Sequence, residues 1–565
     1  MLSFKRAGAL AAGLFILSAA PASAAEIPVF NTSSSGAGSL RAALNTADDL
    51  AGHDTIVFDI PVGNLQPIVL NTALPEVHSD VTIDGYSQEG AVAAVGTTAA
   101  DPAIVIDASN VAQGLNIEGS NVEVRGLVIR NATGDGIVLA GSDNVIAGNH
   151  IGVNSAGTVV QANADYGVEI TGGTNNLIGG PAPEDRNVIS GNTLGNVRVQ
   201  EGNGQRIEGN YLGTNALATA GLGGGDGVLL DTDDNVVIDN VVSFNLTGVN
   251  VKGDDNTVED NRIGTNLSGT VDLGNLGGVN VTGDGNEIVD NVVSGNVFDG
   301  ITVRDPATAN EVRDNLIGTS ALGTTAIPNF GGVSLLDSPD NTVEGNVISG
   351  NQADGVRIAG EASDSNVVED NWIGTDASET RVLGNLQSGV EVVAGDQNRI
   401  GKKLRRSVSN VIAHNGLDGV TVTSGIGNAI VANSIHDNDE LGIDLGNDGT
   451  TGNDGPEDDD SGANTLQNGP DIDAVTDSSV TWEFESEKDT DYRLEFFASD
   501  ECDPSGSGEG QDYLGFVDVT TDANGEADDT MALEVGDGRQ ITMTATRLTA
   551  NATLRSTSEF SPCES

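Results

Sequence analysis

Gly253-Asp254-Asp255 sets two carboxylates side by side, the arrangement in which one carboxyl can serve as a general acid and the other as base or nucleophile at a glycosidic bond. Equivalent positions elsewhere read GDGN from Gly283, SPDN from Ser338 and AGDQN from Ala394, so the pair also reads as a turn before a recurring Asn. Asp239, Asp260, Asp290 and Asp314 share one position in four successive repeats. Either they cap a corner suited to Asp, Gly or Asn, or their stacked oxygens hold a hard cation, for which Ca²⁺ is the natural choice.

Arg357 is the candidate for taking a proton from a carbon acidified by such a cation. Its neighbour in the next repeat, Glu391, offers a cross-strand ion pair instead. Lys402, Lys403, Arg405 and Arg406 make a basic loop, KKLRR, that could grip an acidic polymer or simply offset nearby acids. Asp458, Asp459 and Asp460 belong to the densest acidic cluster and read as a solvated linker or a Ca²⁺ loop, although their spacing matches no EF-hand. Trp372 is one of few aromatic platforms for a sugar ring, with Tyr166, Tyr211 and Phe330. His414 and His436 have no second metal ligand at a recognisable spacing and read as surface or corner residues.

The elements that must position these groups are repeats. NTVEDNRIGT from Asn256, NEVRDNLIGT from Asn310 and NVVEDNWIGT from Asn366 are three of twelve copies, spaced 21 to 32 residues apart. A period in the twenties, rich in Val, Ile, Asn and Gly, predicts a solenoid. Each repeat also holds a Gly followed by alternating residues, as in GVNV from Gly278 and GVRI from Gly355. Asn196 replaces that Gly once, which predicts a corner at positive φ. The alternation predicts short strands with one face inward. Twelve or more coils at about 4.8 Å each give a rod of roughly 60–70 Å. Every second copy runs on through IGT or LGT into a longer excursion, so those loops should emerge together and form a ridge.

The N-terminus reads as a secretory signal, residues 1–24: Lys5 and Arg6, an apolar run, then Ala22-Ser23-Ala24. Residues 25–80 should form a cap, with helical spacing at Leu40, Ala43, Leu44 and Ala47. Coils should occupy 81–445, an acidic Gly/Asp-rich linker 446–474, and an antiparallel β-sandwich 475–565. Cys502 and Cys563, the two cysteines of an exported chain, should pair. The formal charge is −60, which disfavours nucleic acid and anionic membranes as partners.

The NxIxxNxIGT and NVISGN phrases resemble the right-handed parallel β-helix repeat proteins exported by many bacteria. GSLRAAL followed by DTIVFDI is similar to the N-terminal segment with a Cys-Ser-Leu-Arg-Glu-Ala consensus, with Gly38 at the Cys position and Ala42 at the Glu position. YRLEFFASDECDPSGSGEGQDYLG resembles the sandwich module that ends such chains. The resemblance implies an all-β fold: a right-handed parallel β-helix with an N-terminal helical cap and a C-terminal antiparallel β-sandwich. It implies a secreted, extracellular or periplasmic protein that engages polysaccharide or cell-surface glycan, as a Ca²⁺-assisted lyase or hydrolase. The alternative is a non-catalytic surface or adhesion protein.

Overall fold

The computed structural model describes residues 24–78, 80–402, 409–456, 458, 460–536 and 538–565. Residues 1–23 of the expected signal segment, and Lys403, Arg405, Arg406 and Asp459, lie outside them.

Three parallel sheets of 15, 14 and 13 strands wind into a right-handed β-helix. The first runs from Glu26–Val29 to Ala429–Val431, the second from Ile68–Val69 to Ser434–His436, and the third from Leu115–Ile117 to Ile443–Leu445. Register is one coil per step, as in Val258↔Ile288↔Val312 of the first sheet and Val279↔Ile301↔Val333 of the third. Inward residues are nearly all Val, Ile and Leu, and they stack into one continuous core. The helix Leu40–Asp49 closes the N-terminal end. Ser39 caps it by accepting the Ala42 N–H, and Leu40, Ala43, Leu44 and Ala47 form its buried stripe.

The polar part of the interior is three ladders of buried Asn, one at each corner. In the first, the Asn256 N–H donates to Asn286 Oδ1 at 2.8 Å and the Asn286 N–H to Asn310 Oδ1 at 2.8 Å. In the second, Asn291 Nδ2 also donates to the Val258 and Val289 carbonyls. Each amide thus satisfies backbone groups at a corner where the sheet ladders are interrupted.

The strand-leading glycines differ from expectation. None of Gly136, Gly167, Gly227, Gly248, Gly278, Gly300, Gly332, Gly355, Gly389, Gly419 or Gly442 has positive φ. They are required by crowding: a Cβ on Gly248 would sit 2.7 Å from the Gly278 carbonyl and 3.0 Å from Asn275 Nδ2 of the third ladder. The Asn exception has a matching cause. Gly224 occupies a third-ladder position without an amide, and Asn196 fills that gap, donating to Asn245 Oδ1 at 2.9 Å and accepting from Asn192 Nδ2 at 3.4 Å.

The IGT excursions are short antiparallel bridges, Thr265↔Asp272, Thr319↔Ala326 and Thr375↔Val382 among them. They stack along one side, with the Ala321 N–H donating to the Gly269 carbonyl at 2.9 Å.

Asp471–Thr476, Ser479–Glu485 and Glu526–Ala532 form one antiparallel sheet of the C-terminal unit. Asp491–Ser499, Asp512–Thr520, Gln540–Leu548 and Leu554–Thr557 form the other. Trp482, Phe484, Tyr492, Phe496 and Met543 fill the space between them. Cys502 and Cys563 are joined, with Cα atoms 6.0 Å apart. Residues 446–474, read from composition as a linker, instead supply Asn464, whose Oδ1 accepts the Asn428 N–H and so ends the first ladder.

Candidate functional site

The acidic pair and the acidic column named from the sequence both sit at backbone corners. Asp254 Oδ1 accepts the Asp284 N–H at 2.8 Å while the Asp254 N–H donates to Asp233 Oδ1 at 2.8 Å. Asp255 adopts φ +54° before the ladder Asn. Asp239, Asp260, Asp290 and Asp314 lie at φ +55° to +58°, where Asp, Asn and Gly are the tolerated residues. Burial, then the charges of Asp314 and Asp260, push the Asp290 carboxyl above its ordinary value. Asp458 is buried rather than solvated: its Oδ2 accepts from Gln467 Nε2 at 2.7 Å and from Ser486 Oγ, and burial raises it. Asp460 lies two residues further along the same segment.

Trp372 and Asp314 line one cavity of about 470 Å³, with Arg313, Glu344 and Asp370, where the first sheet turns into the second. Lys402 is ion-paired to Asp370 at its edge. Arg357 lies elsewhere, on the outer face of the third sheet.

Around Arg357 the repeat pattern yields something that no sequence signal singled out. An Asp precedes the strand-leading Gly at positions 135, 226, 299, 354 and 418. Asp226 Oδ2 accepts from Asn250 Nδ2 at 3.2 Å. In the other four cases one carboxylate oxygen accepts an N–H from the next coil. The donors are Tyr166 at 3.0 Å, Gly331 at 3.1 Å, Ser388 at 3.1 Å and Leu441 at 2.9 Å. The second oxygen distinguishes them. Asp299 receives the Ser334 hydroxyl at 2.7 Å and Asp418 the Thr421 hydroxyl at 2.8 Å. Asp354 instead faces Glu391 at hydrogen-bonding range. The neighbouring Glu391 carboxylate makes ionising Asp354 costly. Burial first, then the Glu391 charge, push Asp354 up to about 7, against the opposing Ser388 N–H and Arg357. Arg357 Nε holds Glu391 Oε2 at 3.1 Å, the cross-strand pair expected from the register.

This group opens into a cavity of about 330 Å³, whose lining includes Asp299, Phe330, Ser334 and Gln387. Phe330 is 52% exposed. It belongs to a ridge of apolar residues stacked coil on coil. The Phe298 N–H donates to the Leu276 carbonyl, the Phe330 N–H to Phe298 and the Ala353 N–H to Phe330. Leu246, Leu276, Phe298 and Leu386 are exposed on the same side.

The family described as periplasmic copper-binding protein (NosD) matches residues 225–388, which are coils of the solenoid. No curated protein sequence matches the chain. Among solved structures, the A-module of the Azotobacter vinelandii mannuronan C-5 epimerase AlgE6 is similar at 17% identity and TM-score 0.41. The match covers 64% of this chain and 91% of that one. The tailspike protein of E. coli bacteriophage HK620 is similar at 12% identity and TM-score 0.40, covering 92% and 89%. A periplasmic alginate epimerase, AlgG, is similar at 15% identity and TM-score 0.35, covering 58% and 75%. These likenesses concern the fold. Among the described residues no three His, Cys, Asp or Glu side chains converge as a metal site, and both cysteines are consumed in the disulfide. No helix among the described residues is long and apolar enough to cross a membrane.

Proposed function

We propose that this chain is exported and engages polysaccharide along the outer face of the third sheet, with the Asp354–Glu391 dyad at the centre of the site. The observation that carries the reading is the placement of Asp354 beside Glu391, in an open cavity rimmed by Phe330. A protonated Asp354 beside Glu391 supplies a donor and an acceptor for sugar hydroxyls, and the exposed ring offers a face for a sugar.

The carboxyls are closer than the roughly 5–9.5 Å that two-carboxylate glycosidases use. Proton abstraction therefore suits the dyad better than hydrolysis. In a lyase reaction Glu391 takes the proton at the uronate α-carbon, the C4–O glycosidic bond breaks as the C4=C5 double bond forms, and neutral Asp354 gives its proton to the departing oxygen. Arg357, always protonated and already engaged, positions Glu391 rather than acting as base. With a formal charge of −60 the surface repels polyuronate. Ca²⁺ is proposed as the counter-ion that lets such a substrate approach.

A non-catalytic binding role is the second reading. It is favoured by the Ser388 N–H that Asp354 accepts, since Asp299 and Asp418 make the same bond without any dyad. The test incubates the purified chain with alginate, polygalacturonate and neutral glycans, with and without Ca²⁺. It follows unsaturated-uronate absorbance, reducing ends and binding. Product from a uronate polymer that is lost in Asp354→Asn supports the lyase. Binding without product supports the second reading, and neither binding nor product from any polymer removes both.

A further inference from the structure

A β-helix that simply stopped after Leu445 would leave three corners and three strand edges with free N–H groups. Three glutamates of the C-terminal unit meet them. Glu509 Oε1 accepts the Asn438 N–H at 3.1 Å and Asn438 Nδ2 at 3.0 Å, and Oε2 accepts the Asp437 N–H at 2.6 Å. It thereby takes the place of the next amide in the third ladder. Glu495 Oε2 accepts the Ala432 N–H at 2.8 Å beside the end of the second ladder. Glu559 accepts the Leu445 N–H at 2.9 Å and the Thr451 N–H at 2.8 Å at the end of the third sheet.

The strand edges are met as well. The Ile435 N–H and carbonyl pair with the Gly510 backbone at 2.9 and 2.8 Å, and Thr557 Oγ1 accepts the Ile430 N–H at 2.9 Å. Phe497 and Phe560 enter the solenoid core itself.

We propose that the C-terminal sandwich is a pH-gated end cap, whose docking on the last coil tightens when these glutamates take up protons and loosens when they ionise. Their surroundings set the sign. Glu495 lies at 1% exposure and Glu509 and Glu559 at 8%. The charged and titratable groups near Glu495 are Arg493, already bonded to Asp518, and Tyr513, whose hydroxyl lies 3.4 Å away. Glu509 faces Asp437, Asp503 and, through Asp437, His436. Glu559 faces Asp444. Burial dominates in all three; it pushes Glu495 and Glu509 up to about 7 and raises Glu559. A carboxyl that titrates higher when docked binds more protons in the docked state. Its contribution is therefore full below about 4.5, the ordinary Glu value, and is lost as pH rises through about 7.

The experiment is hydrogen exchange of the full chain between pH 5 and 8.5, corrected for intrinsic rates, on peptides spanning residues 428–447. Protection is expected to fall on the order of ten- to a hundredfold per carboxylate over that range. Peptides from the N-terminal cap, residues 26–49, should hold steady. E495Q/E509Q/E559Q keeps an acceptor oxygen at each place and cannot ionise, so its profile should be flat. A flat or rising wild-type profile overturns the proposal, and so does a variant with the wild-type slope. If the triple variant does not fold, the wild-type profile against the N-terminal control decides.

Discussion

Asn196→Gly tests whether the ladders hold the coils together. The substitution restores the residue type that every other coil carries at this position, so on a pattern argument it should stabilise. The structure requires the reverse. Asn196 joins Asn192 to Asn245 across the coil in which Gly224 provides no side chain. Its removal leaves the Asn245 Oδ1 bond unmade and Asn192 Nδ2 with one partner fewer, both fully or almost fully buried. At about 1–3 kcal/mol for each such buried group, plus about 0.5–1 kcal/mol for Gly in a strand, the loss should be about 2.5–7 kcal/mol. The assay is urea unfolding followed by far-ultraviolet circular dichroism. Hydrogen exchange localises the damage, because coils of a solenoid communicate mainly with their neighbours. Protection should drop between residues 188 and 251 and persist beyond residue 330. Gly224→Asn does not replace the lost amide: Gly224 lies at φ +154°, where a side chain is strained, and a Cβ there would sit 3.3 Å from the Asn192 carbonyl. A loss below about 1 kcal/mol for Asn196→Gly refutes the ladder argument.

Asp354→Asn keeps an oxygen for the Ser388 N–H and offers Glu391 an N–H. It should leave stability unchanged or improved at pH 8, because it removes a carboxyl pair that is destabilised as pH rises through about 7, while abolishing any turnover. Turnover by the wild type should fall as pH rises through the same value, measured as initial rate from pH 5 to 9. Asp290→Gly relieves a left-handed Asp and its repulsion from Asp260 and Asp314. Its urea midpoint should stay within about 1 kcal/mol of wild type, with a small gain at low salt that fades in 0.5 M salt. A Ca²⁺-dependent stabilisation of the wild type that this substitution abolishes would show the column to be a cation site. Cys502→Ser/Cys563→Ser should cost about 2–4 kcal/mol and lower exchange protection first around residues 507–510, the segment that carries Glu509.

The coils were legible because two periodic signals coincide in every repeat: Val/Ile alternation fixes which side faces inward, and Asn recurs at the corners. The helix Leu40–Asp49 was legible for the same reason, its four buried residues falling on one stripe. The strand-leading Gly misled because Gly and Asn share one property and differ in another. Both tolerate positive φ, and here Gly was selected for lacking a Cβ while Asn196 was selected for its amide. Composition does not separate those causes; only the identity of the residue one coil further on does. Asp354 was hidden in the same way. It looks like Asp299 and Asp418, and its distinction lies wholly in the residue that stacks beneath it, Glu391 rather than Ser334 or a neighbouring Thr421.

The C-terminal unit shows the limit of reading alternation as inside and outside. In Gln540–Leu548 the polar Thr542, Thr544 and Thr546 alternate with Ile541, Met543 and Ala545, and in Asp491–Ser499 Arg493 and Glu495 alternate with Tyr492, Leu494 and Phe496. Such strands suggest one solvated face. Both faces are buried: Thr542, Thr544 and Glu495 are each 1% exposed. The apolar face makes the sandwich core, and the polar face closes over the last coil, whose unpaired N–H and C=O groups need polar partners that an apolar surface could not supply. A face that must cover the open end of a β-helix therefore carries the sequence pattern of a surface. The signal that separates the two is a carboxylate that accepts backbone N–H groups at the end of the solenoid, as Glu495, Glu509 and Glu559 do. That same burial makes their ionisation costly, so the groups that complete the ladders also make the closure responsive to pH.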